Sequence, residues 1–346
     1  MLSPALSQDV LHLLASGESF AIAMIVDHQG SAPRHTGSRL LIRRNGQTRH
    51  SLGGGALEVQ AIRLAQQVLE TGVPLTQTFV LNAERGDVGM LCGGQAKVLV
   101  HPLDPANREW LNLYRALADR LVTRQPGWLI TRLTPEIGQW LAGEDGLIAG
   151  VARLKAEAWT PLLNSANRRR PVCLTQGQAR FLIEPVIHPG KVYIFGAGHI
   201  GQQLASLARL ADFEVAVLDD RPEFANRDCL PLIEQVTVLP SYTEALAGLA
   251  IDENSLLVIV THAHVGDLTV LRQALRSQAG YIGMIGSRRK RDSLYARLLE
   301  EGFTAADLQR VHCPIGMAIS AETPVEIAIS IMAEIIQIRA ARRSCR

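Results

Sequence analysis

The stretch Lys191–Gly201, with the sequence KVYIFGAGHIG, decides the fold of this 346-residue chain. A short apolar run typical of a buried strand leads directly into three glycines, and a helical pattern follows. Gly196 permits the tight turn, Gly198 lets a pyrophosphate approach the backbone, and Gly201 allows close helix–strand packing. The free N–H groups and positive dipole end of such a helix attract a phosphate. The stretch therefore predicts a nucleotide-binding Rossmann unit.

An acidic pair after the next predicted strand supports this interpretation. The strand Phe213–Leu218 is followed by Asp219 and Asp220, where dinucleotide-binding proteins place a carboxylate on a ribose 2′-hydroxyl. We assign Asp219 to that role and, for a nicotinamide cofactor, expect it to select NAD over NADP. His199, inside the glycine turn, is expected to lie against the ligand's phosphates.

Strand and helix alternate regularly through the second half of the chain, which predicts a doubly wound parallel sheet. The first half mixes helices with strands and hairpins, and its residues 105–170 are weakly patterned and hold all four tryptophans. We predict an α/β protein with an N-terminal mixed α/β domain at residues 1–188 and a Rossmann-like domain at 189–346. The strands predicted for the second domain are Lys191–Phe195, Phe213–Leu218, Val236–Leu239, Leu256–Val260 and Tyr281–Ile285.

Composition excludes several classes of protein. The net charge of +2 gives no electrostatic reason to expect binding to nucleic acid or to an acidic membrane. No run of about 18 apolar residues predicts a membrane span, and the N-terminus lacks a secretory pattern. The five cysteines form no CxxC pair, which favours a reducing compartment and a cytoplasmic location.

Three segments of the first domain have residues suited to ligand binding. Ser31 and Arg34 can hold an anion, although a plain turn with an exposed arginine is the alternative. The glycines Gly53 and Gly54 precede a helix and predict a second anion-binding turn. Glu58, in the first turn of that helix, is either a site residue or a complement to the helix dipole.

The thiol in Cys92-Gly93-Gly94 is the most informative cysteine. Two glycines leave the sulfur uncrowded, so it can be a nucleophile, a sulfur carrier or a soft metal ligand, with buried packing as the alternative. Cys173, Cys229 and Cys313 have apolar or proline neighbours and are expected to serve packing.

Two further turns of the second domain follow predicted strands, where ligands bind in such sheets. His262, His264 and Asp267 suit either a metal or the phosphate and ribose of a nucleotide. Ser287 and Arg288 open a cationic helix that suits a phosphate.

The last helix begins at Thr323-Pro324 and carries a capping box completed by Glu326. Its apolar residues exceed what one sheet face covers, so we predict a homodimer or larger assembly, with a helix internal to the domain as the alternative. These residues are Ile327, Ile331, Met332, Ile335, Ile336 and Ile338.

Taken together, the chain resembles the XdhC/CoxI family of xanthine dehydrogenase accessory factors. The resemblance spans nearly the whole chain, and the motifs occur in family order. They are GSAPRHTG (Gly30–Gly37), GGGALE (Gly53–Glu58), Cys92–Gly94, VYIFGAGHIG (Val192–Gly201), THAHVGD (Thr261–Asp267), YIGMIGSRRK (Tyr281–Lys290) and the segment Pro314–Glu334.

This resemblance implies a chaperone rather than a catalyst. It implies a protein that binds molybdenum cofactor, as the pterin or the pterin dinucleotide, supports its sulfuration, and inserts it into a molybdenum hydroxylase such as xanthine dehydrogenase. The implied partners are the apo-hydroxylase and a cysteine desulfurase, and Cys92 is the candidate molybdenum ligand. The predicted cofactor-binding residues are Ser31, Arg34, Gly53, Gly54, Glu58, Cys92, Gly93, Gly196, Gly198, His199, Gly201, Asp219, His262, His264, Asp267, Ser287 and Arg288.

Two other functions fit the residues. One is an NAD-dependent oxidoreductase with His262 or His264 as the acid–base group. The other is a nucleotide-binding regulatory module that acts only through partner proteins. A hydride-transfer assay and the spectrum of protein exposed to molybdenum cofactor separate them from the chaperone.

Overall fold

The computed structural model describes residues 2–30, 34–81, 94–152, 154, 159–167, 170–186 and 190–344, with side chains described as far as residue 341. The chain divides into two compact units, Met1–His188 and Pro189–Arg346. In the described part of the chain, no helix combines the length and the apolar character needed to cross a bilayer.

The first unit contains an antiparallel sheet with the order β3-β2-β1-β5-β4. Its strands are β1 (Phe20–Gln29), β2 (Arg39–Arg43), β3 (Thr48–His50), β4 (Leu75–Leu81) and β5 (Gly94–Leu103). Helix α1 (Pro4–Ala15) precedes the sheet, and α2 (Gly55–Thr71) covers one face with its buried residues Leu57, Ala61, Ala65 and Val68.

A second antiparallel sheet of the first unit fills most of the tryptophan-containing region. Its order is β8-β7-β6-β10-β9. The elements are α3 (Arg108–Thr123), β6 (Gly127–Thr134), β7 (Gly138–Gly143), β8 (Gly146–Val151), α4 (Trp159–Asn164), β9 (Val172–Gln176) and β10 (Ala179–Val186).

The second unit is a Rossmann-like sheet of six parallel strands, ordered β13-β12-β11-β14-β15-β16. This confirms the predicted fold class, including the doubly wound parallel sheet. The strands are β11 (Lys191–Phe195), β12 (Glu214–Asp219), β13 (Gln235–Val238), β14 (Ser255–Ile259), β15 (Tyr281–Met284) and β16 (Val311–His312). The helices are α5 (His199–Leu210), α6 (His264–Leu275), α7 (Arg288–Glu300), α8 (Ala305–Gln309) and α9 (Pro324–Ser344).

Pairing in the middle of this sheet aligns the strand ends. Phe195 at the end of β11 pairs with Leu218 on one side and with Ile259 on the other. The carboxyl ends of β11, β12 and β14 therefore lie at the same edge of the sheet, and the turns that follow them meet there.

Helix α9 corrects one expectation from the sequence. Its predicted capping box is confirmed, because Glu326 accepts from the Thr323 amide at 2.9 Å and donates its own amide to Thr323 Oγ1 at 3.3 Å. However, Ile331 and Ile335 are fully buried against α5 and the sheet. The apolar residues named for dimer formation thus belong largely to the core of this unit, since one face of the sheet needs this helix as its cover. Only Ile336 among them is clearly exposed, at 41%.

Candidate functional site

The order in which strands are added to the sheet of the second unit reverses between β11 and β14. From β11 the chain builds outward through β12 and β13, and from β14 it builds the other way through β15 and β16. Ligands of open α/β sheets bind at the carboxyl ends of the strands at such a point. Here the turns at residues 196–199, 219–221 and 261–264 follow the three central strands.

The three glycines of the first turn have different surroundings. A Cβ at Gly196, where φ is +122°, would lie 2.2 Å from the Val260 carbonyl oxygen, and one at Gly201 would lie 1.9 Å from the Gly196 carbonyl oxygen. Both positions therefore require glycine. A Cβ at Gly198 would meet only Arg221, at 3.9 Å from Nη2, so this position faces open space. The arrangement is the one that a phosphate on the turn needs.

Two helices begin at this edge without a side-chain cap. Gly198 precedes α5 and Ala263 precedes α6, and neither residue supplies a capping side chain. His199, His262 and His264 are exposed here. Uncapped N-terminal N–H groups and the helix dipole favour an anion. Because α5 and α6 follow adjacent strands, these two favourable ends lie at one edge of the sheet.

Helix α7, which follows β15, begins differently. The Ser287 hydroxyl accepts from the Lys290 amide at 3.2 Å and caps the helix. Arg288 is exposed. The predicted phosphate contact of Ser287 would therefore compete with its role as a cap.

Asp219 corrects the ribose assignment. Its side chain is completely buried, and Oδ2 accepts from the Ala197 amide at 2.6 Å. Arg221 donates through Nε to Oδ1 and through Nη2 to Oδ2, each at 2.9 Å. Burial alone raises the pKa of Asp219, but these hydrogen bonds outweigh it and hold the pKa below its ordinary value. The carboxylate supports the glycine turn from inside, so it has no oxygen facing a ribose, and selection of NAD by Asp219 loses its basis.

The residues of the Thr261–Asp267 motif have separate partners. His262 Nε2 lies 3.2 Å from Oδ1 of Asp220, which follows β12. Asp267 is buried, accepts from the Thr261 hydroxyl at 2.7 Å, and forms an ion pair with Lys290. No group of three or more His, Cys, Asp or Glu among the described residues is placed to hold a metal ion. The motif therefore shapes the edge of the sheet around β14.

In the first unit, the predicted anion-binding turn is already filled by a side chain of the protein. Glu58 Oε1 accepts from the Ser51 hydroxyl at 2.7 Å and from the amides of Leu52 and Gly54 at 2.8 and 2.9 Å. Although burial raises the pKa of Glu58, these donors lower it below its usual value. The turn does bind a carboxylate, but that carboxylate is its own.

The structure describes only one of the remaining predicted site residues of the first unit. Arg34 is exposed. Ser31, Cys92 and Gly93 lie outside the described residues, and their predicted roles stay predictions.

Two residues at the edge of the Rossmann sheet were missed from the sequence. Arg221 directly follows the pair Asp219-Asp220, and a cation at this short spacing could have indicated an ion pair with one of them. Tyr242, in a short 3-10 turn after β13, is 6% exposed, and burial raises the pKa of its hydroxyl. Nothing in the sequence pattern distinguishes this tyrosine.

Known families match both parts of the chain. A family described as the XdhC Rossmann domain matches residues 192–335, and the family described as XdhC and CoxI matches residues 13–80.

Three curated relatives cover nearly all of the chain. It is 25% identical to a probable subunit of xanthine dehydrogenase from Bacillus subtilis, over 94% of this chain and 95% of the relative. It is 21% identical to the molybdenum cofactor insertion chaperone PaoD of Escherichia coli, over 94% of this chain and 85% of the relative. It is also 25% identical to the uncharacterized protein YqeB of E. coli, over 92% of this chain, but spans only 43% of that relative's length.

One solved structure shares the fold over the full length. The crystal structure of a xanthine dehydrogenase from Bacillus halodurans superimposes with a TM-score of 0.81 at 23% identity, over 99% of this chain and 97% of that one.

Proposed function

We propose, because the chain belongs to the XdhC and CoxI family, that it binds molybdenum cofactor and delivers it to an apo molybdenum hydroxylase. Its similarity to a molybdenum cofactor insertion chaperone and to a protein named for xanthine dehydrogenase supports this role. In this proposal the cofactor is cargo that the protein passes on. We further propose that the cofactor is protected while a cysteine desulfurase supplies the sulfur of its sulfido ligand.

The observation that carries the proposal is the open helix start at Gly198. Molybdenum cofactor is a pterin with a terminal phosphate, or with a pyrophosphate in its dinucleotide form. The uncapped N-terminus of α5 and the open space at Gly198 suit either group, and Arg221 adds a positive charge beside it. We therefore propose that this turn binds the phosphate group of the cofactor.

We propose Cys92 as the residue that binds the molybdenum, because its thiol can ionise to a thiolate ligand. Ser31, Arg34 and Gly93 are proposed to contact the cofactor as well. Gly53, Gly54 and Glu58 contribute indirectly, by fixing the start of α2 through the carboxylate described above.

The experiment is to load the purified protein and measure what it retains. The full chain is incubated with molybdenum cofactor under reducing, anaerobic conditions and passed through a desalting column, after which molybdenum and pterin are quantified. Stoichiometric retention of both, together with activation of an apo-hydroxylase, is the expected result. Absence of both molybdenum and pterin from the protein fraction would overturn the proposal.

A further inference from the structure

Helix α9 carries apolar residues on the side that faces away from the core as well as on the side that faces it. Ile331 and Ile335 are fully buried and pack in the core of the second unit. On the other side of the helix, Val325, Ile329 and Ile336 are 45%, 45% and 41% exposed. A helix that covers its own core and is also apolar on its outer side has more apolar surface than its own unit uses.

The outer apolar residues form one continuous stripe along the helix. Val325, Ile329, Ala333, Ile336 and Ala340 follow one another at intervals of four, four, three and four residues. Residues at these intervals lie on one side of an α-helix, and the same intervals form the seam between paired helices. The residue in the middle of the stripe is an alanine, which lets a second helix approach closely. The spacing therefore indicates a second helix as the partner of this stripe.

The loop before α9 widens this surface. The Met317 amide donates to the Ser330 carbonyl at 3.2 Å, and the Ser330 hydroxyl donates to the Met317 carbonyl at 3.1 Å. These hydrogen bonds hold the loop along the helix, next to Ile329. Met317 and Ile319 are themselves exposed. The surface is thus a group of neighbouring apolar side chains, whereas isolated exposed apolar residues are ordinary on a protein.

The stripe is complementary to itself. An antiparallel copy of α9, centred between residues 332 and 333, would place Ile329 opposite Ile336 and Val325 opposite Ala340. Across a two-fold axis each of these contacts occurs twice, which is the property of an interface between identical copies. The stripe therefore fits a second copy of this chain without any further surface.

The charges at the ends of α9 favour the same antiparallel arrangement. Glu322 and Glu326 lie at its start and are exposed, whereas Arg339 lies near its end and is followed in the sequence by Arg342 and Arg343. An antiparallel pair brings the acidic start of one helix to the basic end of the other, and it also opposes the two helix dipoles. A parallel pair would place like charges together.

We propose that the stripe from Val325 to Ala340 docks against the same stripe of a second copy of this chain, as an antiparallel pair of α9 helices about a two-fold axis. The inference does not rest on the proposed function. It uses the outer side of α9, whereas most of the apolar residues that the sequence analysis named face the core.

Sedimentation of the full chain tests the pair. Wild type is expected to sediment as a dimer at micromolar concentration. Ile329→Glu and Ile336→Glu each place a charge in the seam, and the two-fold axis repeats that charge. Each variant should therefore raise the dissociation constant of the dimer by about 100-fold or more. Both side chains are partly exposed in a single copy, so both variants should keep the circular dichroism of wild type.

Leu299→Glu is the matched control. Leu299 is an exposed apolar residue of α7, which packs on the other face of the sheet from α9. This variant should dimerise with the dissociation constant of wild type. The inference is overturned by a monomeric wild type, or by Ile329→Glu and Ile336→Glu proteins that dimerise as tightly as wild type.

Disulfide cross-linking tests the orientation of the two helices. Ile329→Cys/Ile336→Cys should give a covalent dimer on oxidation, with residue 329 joined to residue 336 in peptide mass spectrometry. Residues seven apart on one helix are about 10 Å apart, which is beyond the reach of a disulfide, so such a bond joins two copies. Ile329→Cys alone should give few bonds between the two residues 329. A high yield of those bonds would contradict the antiparallel pair.

A different occupant of the stripe would give a different result. If the apo-hydroxylase bound there, wild type alone would be a monomer and Ile329→Glu would fail to bind the hydroxylase, and this outcome would contradict the inference. Retention of molybdenum cofactor by the same proteins tests the proposed function separately. A dimeric wild type that retains no cofactor would support the pair and contradict the proposed function alone.

Discussion

Arg39 on β2 and Glu184 on β10 form a buried ion pair that joins the two sheets of the first unit. Nη1 donates to Oε1 at 2.8 Å, Nη2 pairs with Oε2, and the two side chains are 1% and 3% exposed. Nη1 also donates to the Gly37 carbonyl at 2.8 Å. A Cβ at Gly37 would lie 2.6 Å from Glu184 Oε1. The pair therefore anchors the end of the GSAPRHTG motif to the second sheet.

The first prediction concerns His101, a buried neighbour of this pair. His101 is only 1% exposed, and burial, followed by the charge of Arg39, lowers the pKa of His101 to about 4. In the unfolded chain this histidine has its ordinary pKa of about 6.5. Between pH 6.5 and 4 it therefore becomes protonated in the unfolded chain, while in the folded chain it stays largely neutral. The free energy of unfolding should therefore fall by about 3 kcal/mol as pH drops from 6.5 to 4.

Urea denaturation at several pH values measures this effect. His101→Leu removes the titrating group, so its unfolding free energy should depend less on pH than that of wild type across the same window. His12→Leu, on the exposed side of α1, is the control and should keep the wild-type slope. Identical slopes in wild type and His101→Leu would show that His101 is not the group responsible.

The second prediction tests the filled turn at Glu58. Glu58→Ala removes three hydrogen bonds from the start of α2 and should lower the free energy of unfolding by about 1–2 kcal/mol. Glu70→Ala, exposed at the other end of the helix, should have almost no effect. If the backbone amides of the turn can also bind a free anion, added phosphate should stabilise Glu58→Ala more than wild type in a thermal melt. Equal stability of Glu58→Ala and wild type would show that the Glu58 carboxylate does not stabilise the start of α2.

Most elements of the Rossmann unit were predicted from local sequence patterns, because a buried strand, a glycine turn and a helix each have a short-range signature. The strand β16 has two residues and no such signature. In the tryptophan region, Gly138 and Gly150 make room for the ring of Trp140, where a Cβ would lie 2.6 and 2.2 Å from ring carbons. Those glycines look like loop residues in a sequence, although they belong to packed strands.

The site was predictable in its backbone and less so in its side chains. Gly196, Gly198 and Gly201 have the surroundings that their spacing predicts. The partner of Asp219 was not predictable from that spacing, because a carboxylate at a strand end can face either a ligand or its own turn. Arg221, two residues later, donates to both oxygens of Asp219 and so holds the carboxylate against its own turn.

The third prediction separates the middle glycine from its neighbours. Gly198→Val should leave the fold intact, because φ is −67° and only Arg221 Nη2 lies within 4 Å of a Cβ there. The side chain would occupy the space next to the uncapped α5 amides, so affinity for a phosphate ligand should fall by about tenfold or more. Calorimetry measures the affinity and circular dichroism the fold.

Gly201→Val is the matched variant for that experiment. Its Cβ would lie 1.9 Å from the Gly196 carbonyl oxygen, so this substitution should disrupt the unit itself. Wild-type affinity in a well-folded Gly198→Val protein would mean that the ligand binds elsewhere.

The last prediction concerns Cys92 as the thiol that faces molybdenum. Cys92→Ser keeps the size of the side chain but replaces a thiol, which can ionise to a thiolate ligand, with a hydroxyl that stays protonated at neutral pH. We expect the variant to remain folded but to lose retention of the cofactor and activation of the hydroxylase. Cys313→Ala is the control, because Cys313 is 8% exposed and burial raises its pKa to about 11, so it stays an unreactive thiol. That control should lose about 1 kcal/mol of stability and no cofactor. If Cys92→Ser instead loads cofactor and activates its client as wild type does, the sulfur has no part in holding molybdenum, and the paired glycines after it become the residues that explain the loop.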